Sequence, residues 1–359
     1  MINPFISYTD NDKPYLTDIC SINKLLINQL PFKGIVDDIE GLNANRIIST
    51  KVIGDAIRSK ADVLGIDADL YSNSQLAKKL EEALDSNDEN IRKQAEQLYK
   101  IFGYRLGVIL LTLKQGKEDN RLSRPGWKDE HWEFWNKQKK IILVGGLTNG
   151  KSGQLLRKYA LEAFEVANTE PYEIMLFSNA SHYGTLGCAT QVKDKSKSAV
   201  VFDFGQTNIK RCVVDFDGDK ICTDAFLESI PSLYMEWVDL SEDKKIELAH
   251  KLHDKLVGVI TDTYKVASVN HKLGNEIIIS IASYTVEGQL HTTRGGYAKL
   301  SVLADNYGVF LQEELSKALG KDIEVTLIHD GTAIAKYFSE YKDAVCVSLG
   351  TAFGVGFPV

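Results

Sequence analysis

The chain lacks the features that would place it outside ordinary soluble proteins. Its five cysteines, Cys20, Cys188, Cys212, Cys222 and Cys346, include no CxxC pair, and their spacing fits neither a zinc site nor a disulfide framework. They read as plain thiols of a reducing compartment. The start, MINPFISYTDND, has neither a basic stretch nor an apolar core of the signal-peptide kind, and no apolar run approaches the length of a membrane span. A cytoplasmic setting with no membrane partner is the default reading. No extended basic stripe is present, and the formal net charge is -7, which argues against nucleic acid as a partner.

What is present fits a globular enzyme-sized chain. The 359 residues are 44% hydrophobic and 25% charged, enough for two domains that each bury a core. Residues 1–140 read mostly as helix. From Asn90 to Lys114, Ala95, Leu98, Ile101, Phe102, Leu106 and Ile109 fall near a 3.6 period. After Lys140 the pattern changes to strand, helix (155–167), strand, helix (181–192). Lys193 to Ser198, KDKSKS, reads as a connector. Three alternating strands follow, AVVFDFG, IKRCVVDFD and KICTDAFLE, with Asp217-Gly218-Asp219 as a hairpin turn between the last two. A helix over 241–267, strand 276–282, helix 306–319, strand 324–328, helix 332–341 and strand 344–349 complete the pattern.

Four segments carry the chemistry. In Val200 to Lys210, an apolar strand delivers Asp203 and then turns through Gly205, Gln206 and Thr207. Exposed backbone amides in such a turn suit phosphate oxygens, Asp203 could hold Mg²⁺ directly or through water, and Lys210 adds positive charge. Val345 to Gly356 repeats the plan, with Gly350, Thr351 and Gly354 at the turn and return strand. Ile141 to Leu147 ends a buried strand in Gly145-Gly146-Leu147, suited to a flat ring resting on the backbone. Ile328 to Ala333 places Asp330 at the carboxyl end of a strand, where open α/β sheets bind ligands. There a carboxylate can take a proton from an attacking hydroxyl. Taken singly, each has a plain structural reading: two glycine hairpins, a strand-to-helix loop, and Asp330 as a helix N-cap.

Together they resemble a known set. DFGQTNIK is similar to the first phosphate motif of the actin-like ATPase superfamily, SLGTAFGVG to its second, and ILVGGL to its adenosine motif. IHDGTAIA resembles the catalytic segment of the ROK family of sugar kinases and their glucokinase relatives. FSNASHYGTLGCATQ resembles the strand and helix that close that fold, and residues 40–114 its helical segment. The resemblance implies two ribonuclease H-like α/β domains around a nucleotide-binding cleft. It implies MgATP as cofactor, with Asp330 as the base that deprotonates a sugar hydroxyl. The nucleotide is expected between Asp203–Thr207 and Gly350–Gly354, with adenine near Gly145–Leu147.

The order of these motifs departs from the family. Here the adenosine segment precedes the first phosphate motif, and the second phosphate motif comes last. Circular permutation accounts for this, with 1–192 plus 343–359 as the larger domain and 195–342 as the smaller. It predicts that Ile141–Val144 shares a sheet with Val345–Leu349. It also predicts that the first residues and Phe357 to Val359 belong to one domain. The rival is an independent domain over 1–192, leaving a half-kinase that must dimerise.

The family's cysteine-rich zinc motif is absent, so no zinc is expected. Its Glu-x-Gly-His sugar segment is also missing, and its Asn before the catalytic Asp is His329. His329 is either a substrate contact or a packed strand residue. The family's Pro-Gly loop corresponds to Ser283 to Gly288, with Gly288 a candidate substrate contact; Glu287 and Arg294 lie in a loop expected to face the cleft, or are merely solvated charges. Two other functions fit the same motifs: a sugar sensor that binds ATP without phosphorylating, and an ATPase switch of the actin or chaperone type. A homodimer is compatible with all three.

Overall fold

The computed structural model describes residues 2–233, 240–291 and 296–358. Arg294 lies outside them. The elements that matter below are, in chain order, α1 (Glu89–Gln115), β1 (Lys140–Val144), α2 (Gly150–Val166), β2 (Glu173–Leu176), α3 (Tyr183–Ala189), β3 (Ser198–Phe204), β4 (Asn208–Asp217), β5 (Lys220–Pro231), α4 (Glu242–Ala267), β6 (Leu273–Ile281), α5 (Tyr307–Leu319), β7 (Glu324–His329), α6 (Asp330–Tyr337), β8 (Ala344–Leu349) and β9 (Phe353–Gly356).

The chain divides into two compact α/β units. The first comprises Met1–Phe5, Ile19–Ser181 and Asp343–Val355. The second comprises Ile6–Asp18, His182–Lys342 and Gly356–Val359.

The sheet of the second unit has the order β7-β6-β3-β4-β5. β3, β4 and β5 form an antiparallel meander, whose second turn passes through Gly218 at φ 57°. That left-handed backbone suits glycine. β6 and β7 run parallel to β3 and to each other, each reached through a helix. This is the ribonuclease H-like arrangement. Both faces of the sheet are covered, which is why β3 reads as an unbroken apolar run. Val200, Phe202 and Phe204 pack with Leu252, Leu256 and Ile260 of α4 and with Leu311 and Leu315 of α5. On the other face Ala199 and Val201 meet Cys188 and Ala189 of α3 and Ala333 of α6.

The first unit holds a four-stranded sheet ordered β9-β8-β1-β2. β8 lies parallel to β1, with Val345 opposite Ile141 and Ser348 opposite Val144. Strands about 200 residues apart in sequence therefore form one ladder, as the permuted order requires, and the independent-domain rival is excluded. β2 extends the sheet, again parallel. The long α1 packs on α2 through Gly103 and Gly107. A Cβ at Gly103 would land on Tyr159 and one at Gly107 on Ala163, so the two helices approach to backbone distance.

Three sequence expectations need correction. Helix α3 was expected in the larger domain with residues 1–192, yet it belongs to the second unit. Its Gly187 sits where a Cβ would strike the Ala333 carbonyl, so α3 and α6 close together on one face of the second sheet. The two ends of the chain do not share a unit: Met1–Phe5 go with the first and Gly356–Val359 with the second. Gly356 fixes this, because its backbone is pressed against the Gly331 carbonyl. Finally, α2 begins at Gly150 rather than 155. Gly150 to Gly153 reads locally as loop, but Glu81, from the helix Asn73–Ala83, accepts hydrogen bonds from the Lys151 and Ser152 amides at 2.7 and 3.2 Å. A carboxylate on the first-turn amides offsets the helix dipole and holds the turn.

Candidate active site

The parallel strands β3, β6 and β7 end at the same edge of the second sheet. Asp203 of β3 lies opposite Ser280 of β6, which lies opposite Ile328 of β7. Asp330 follows one residue beyond the end of β7 and opens α6. Two carboxylates thus stand at the carboxyl ends of two parallel strands, β3 and β7, with β6 between them, where ligands bind in open α/β sheets.

Asp203 is 6% exposed. A carboxylate buried this far needs partners. Lys210 Nζ donates to its Oδ2 at 2.8 Å and Ser280 Oγ to its Oδ1 at 2.9 Å. Lys210 is placed by the hairpin itself, since β4 returns with Lys210 directly opposite Asp203. Room for the carboxylate comes from α3: a Cβ on Gly184 would stand 2.7–2.9 Å from its three terminal atoms. Both Asp203 oxygens being engaged, the residue suits a hydrated Mg²⁺ held through water better than direct coordination. Among the described residues no cluster of three His, Cys, Asp or Glu side chains is arranged to hold a metal ion.

The turn after β3 is held from outside. Gly205 N donates to Asn208 O at 3.1 Å. Tyr297 OH donates to Gly205 O at 3.0 Å, Ser232 N to Thr207 O at 2.9 Å, and Ser232 Oγ to Gln206 O. The carbonyls of Gly205, Gln206 and Thr207 are thereby tied back into the protein.

Asp330 is the first residue of α6 and does not cap it in the usual way; His329 is the N-cap residue and its side chain makes no cap bond. Asp330 Oδ1 accepts from its neighbour Gly331 N at 2.7 Å. Burial pushes the Asp330 carboxyl above its ordinary value; His329 and Lys210 pull it down and the Asp203 charge pushes it up. A carboxylate raised in this way is a stronger base than a solvated one. His329 is buried and lies with Nε2 3.0 Å from Asp330 Oδ1, its ring stacked on Tyr284 at 4.2 Å and 12°.

Glu287 and Gly288 sit in a small hairpin, Thr285–Val286 with Gln289–Leu290. Its turn places Glu287 at φ 49° and Gly288 at φ 89°. Glu287 is ion-paired to Lys13 at 2.7 Å. Gly288 docks on the start of α5, with Gly308 N donating to its carbonyl at 2.9 Å.

The remaining predicted residues lie in the first unit. Gly145 has φ 108°, and a Cβ there would overlap Leu349 O, so this glycine is demanded by the β1–β8 junction. Gly146 and Gly350 have open space where a Cβ would stand. Gly350 O accepts from Thr50 N at 2.8 Å, and Gly354 N donates to Ser348 Oγ at 3.2 Å. Leu147 is buried and Thr351 exposed.

One pattern not singled out above is also here. Gly145 to Ser152 spells G-x-x-x-x-G-K-S between a strand and a helix, the form in which a loop cradles phosphate. The structure fills that place differently. Glu81 occupies the first-turn amides, and Lys151 Nζ is paired with Asp85. The segment therefore presents a carboxylate where phosphate would sit.

No family model and no curated protein matches the chain. Among solved structures it is similar to the Aquifex aeolicus Ppx/GppA phosphatase, type II variant. That likeness has 11% identity and a TM-score of 0.29, covering 72% of this chain and 87% of that one. At this level it says nothing of mechanism. Among the described residues no helix is long and apolar enough to cross a membrane.

Proposed function

We propose that the protein is an ATP-dependent kinase that phosphorylates a sugar hydroxyl. The observation that carries the reading is the pair of carboxylates Asp203 and Asp330 on one sheet edge. One is neutralised by Lys210, and the carboxyl of the other is pushed upward by burial. These are the two roles that phosphoryl transfer to an alcohol needs: an electrostatic anchor beside phosphate and a base for the nucleophile.

In this reading Asp330 takes the proton from the attacking hydroxyl. Lys210 and the amides of Gln206 and Thr207 bind phosphate oxygens. Asp203 holds Mg²⁺ through water, and the ion would neutralise charge on the transferring group. By resemblance alone, the Gly350–Gly354 turn and the Gly145–Leu147 segment are proposed as nucleotide contacts. Glu287 and Arg294 are the proposed acceptor contacts.

A coupled ADP-release screen over hexoses, amino sugars and acetylated sugars tests the proposal, with Asp330→Asn as control. Sugar-dependent ADP release that falls by about 10²–10⁴-fold in the variant supports it. ADP release independent of every sugar points to an ATPase switch, and sugar binding without turnover points to a sensor. Either result overturns the kinase.

A further inference from the structure

Asp330 has two oxygens in unequal surroundings. Oδ1 accepts the Gly331 amide at 2.7 Å and stands 3.0 Å from His329 Nε2. Among the described residues Oδ2 receives no hydrogen bond. A carboxylate engaged on one side presents the other oxygen to whatever approaches.

The imidazole that stands beside Oδ1 is itself fixed. His329 terminates β7 and is 7% exposed. Its ring lies flat on Tyr284, from the loop that follows β6. Burial lowers its proton affinity, which favours the neutral ring. In a neutral imidazole one nitrogen carries hydrogen, and the nitrogen beside a carboxylate is the one that gains by doing so. Nδ1 is then a bare acceptor, and it is buried with no hydrogen-bond partner among the described residues. A polar atom left unsatisfied in this way is costly. Packing alone would have been served as well by an apolar ring.

We infer that His329 is a positioning residue: held by Tyr284, it fixes Asp330 Oδ1 so that Oδ2 is the oxygen that meets the acceptor hydroxyl. This assigns His329 to the base rather than to the substrate, and it rests on the kinase reading above.

Two substitutions separate the roles. His329→Phe keeps a ring for Tyr284 and removes Nε2, whereas His329→Gln removes the stack and keeps an amide donor of similar reach. The inference predicts that His329→Phe lowers kcat roughly 10- to 100-fold, the usual scale for an outer partner of a functional group. It predicts little change in the KM for ATP or for the acceptor, and recovery of part of kcat in His329→Gln. A merely packed residue gives the reverse order, with Phe near wild type and Gln impaired. A direct acceptor contact instead raises the acceptor KM in both variants. Either result overturns the inference. Should His329→Phe fail to fold, His329→Leu carries the same comparison. Asp330→Asn is assayed alongside. If it turns over normally, or if the wild-type protein phosphorylates no sugar, the kinase reading has failed and the inference with it. If Asp330→Asn is inactive while His329→Phe is normal, only the inference has failed.

Discussion

Lys210 Nζ lies 2.8 Å from Asp203 Oδ2, directly across the β3–β4 hairpin, with the carboxylate side chain 9% exposed and the lysine 26%. Removing the lysine strands a nearly buried charge, which costs more than the pair contributes. Lys210→Met should destabilise the fold by about 1–3 kcal/mol. Adding Asp203→Asn should restore much of the loss, because the stranded charge disappears. Thermal unfolding of the two single variants and the double variant measures the coupling; strictly additive effects would show that the pair is not energetically linked.

Asp330→Asn should change stability in a pH-dependent way. Burial raises the folded-state pKa of Asp330, so folding favours its protonated form. The wild-type protein therefore carries a cost that appears as pH rises through the raised value and is absent below the ordinary 3.8. Asparagine keeps an oxygen for the Gly331 amide without the charge. Its melting temperature should exceed that of wild type near neutral pH, and the difference should shrink in acid. A constant difference across pH would refute the raised carboxyl. In kinetics, the same shift places the acidic limb of kcat/KM above 3.8.

Gly145 and Gly350 should separate stability from binding. Gly145→Ala forces a side chain onto Leu349 O at φ 108°, and should destabilise the first unit by about 1–3 kcal/mol. Gly350→Ala meets nothing, so its melting temperature should match wild type while nucleotide affinity falls about tenfold or more, since a methyl group would occupy the ligand's approach. Calorimetric titration with a non-hydrolysable ATP analogue reads the second effect. Unchanged affinity would make this turn purely structural.

Gly187→Ala should be among the worst single substitutions in the second unit. Its Cβ would fall on the Ala333 carbonyl, and backbone cannot yield as a flexible side chain can. Denaturant unfolding should show a loss of about 1–3 kcal/mol or more. Tolerance would mean that α3 and α6 are free to slide apart.

Strand content, the meander turn at Gly218 and the pairing of β1 with β8 were legible because each follows from apolar patterning and motif order. Asp203, Lys210 and Asp330 were legible as a set through resemblance. What escaped depends on partners distant in sequence. Glu81 extends α2 back to Gly150 from some 70 residues away. The seat of α3 is decided by Gly184 and Gly187, whose neighbours Asp203 and Ala333 no local pattern reveals. The stacking of Tyr284 on His329 joins the loop after β6 to the end of β7, which are adjacent only in the folded sheet. Lys210 was expected to add positive charge to the turn, but its bond to Asp203 follows from strand register, which residue type alone does not reveal.

The ladder between β1 and β8 sets an order of events during synthesis. Residues 140–144 leave the ribosome some 200 residues before their partner at 344–349 exists. Through that interval β1 has an apolar edge with nothing to pair with, whereas most of the second unit, His182–Lys342, has already emerged. The later-encoded unit is thus positioned to fold first, and the earlier one waits. An unpaired edge strand is a template for association with other chains. The nascent protein is therefore most exposed to aggregation, and most in need of a holding chaperone, in the stretch of translation that ends when β8 closes the first sheet.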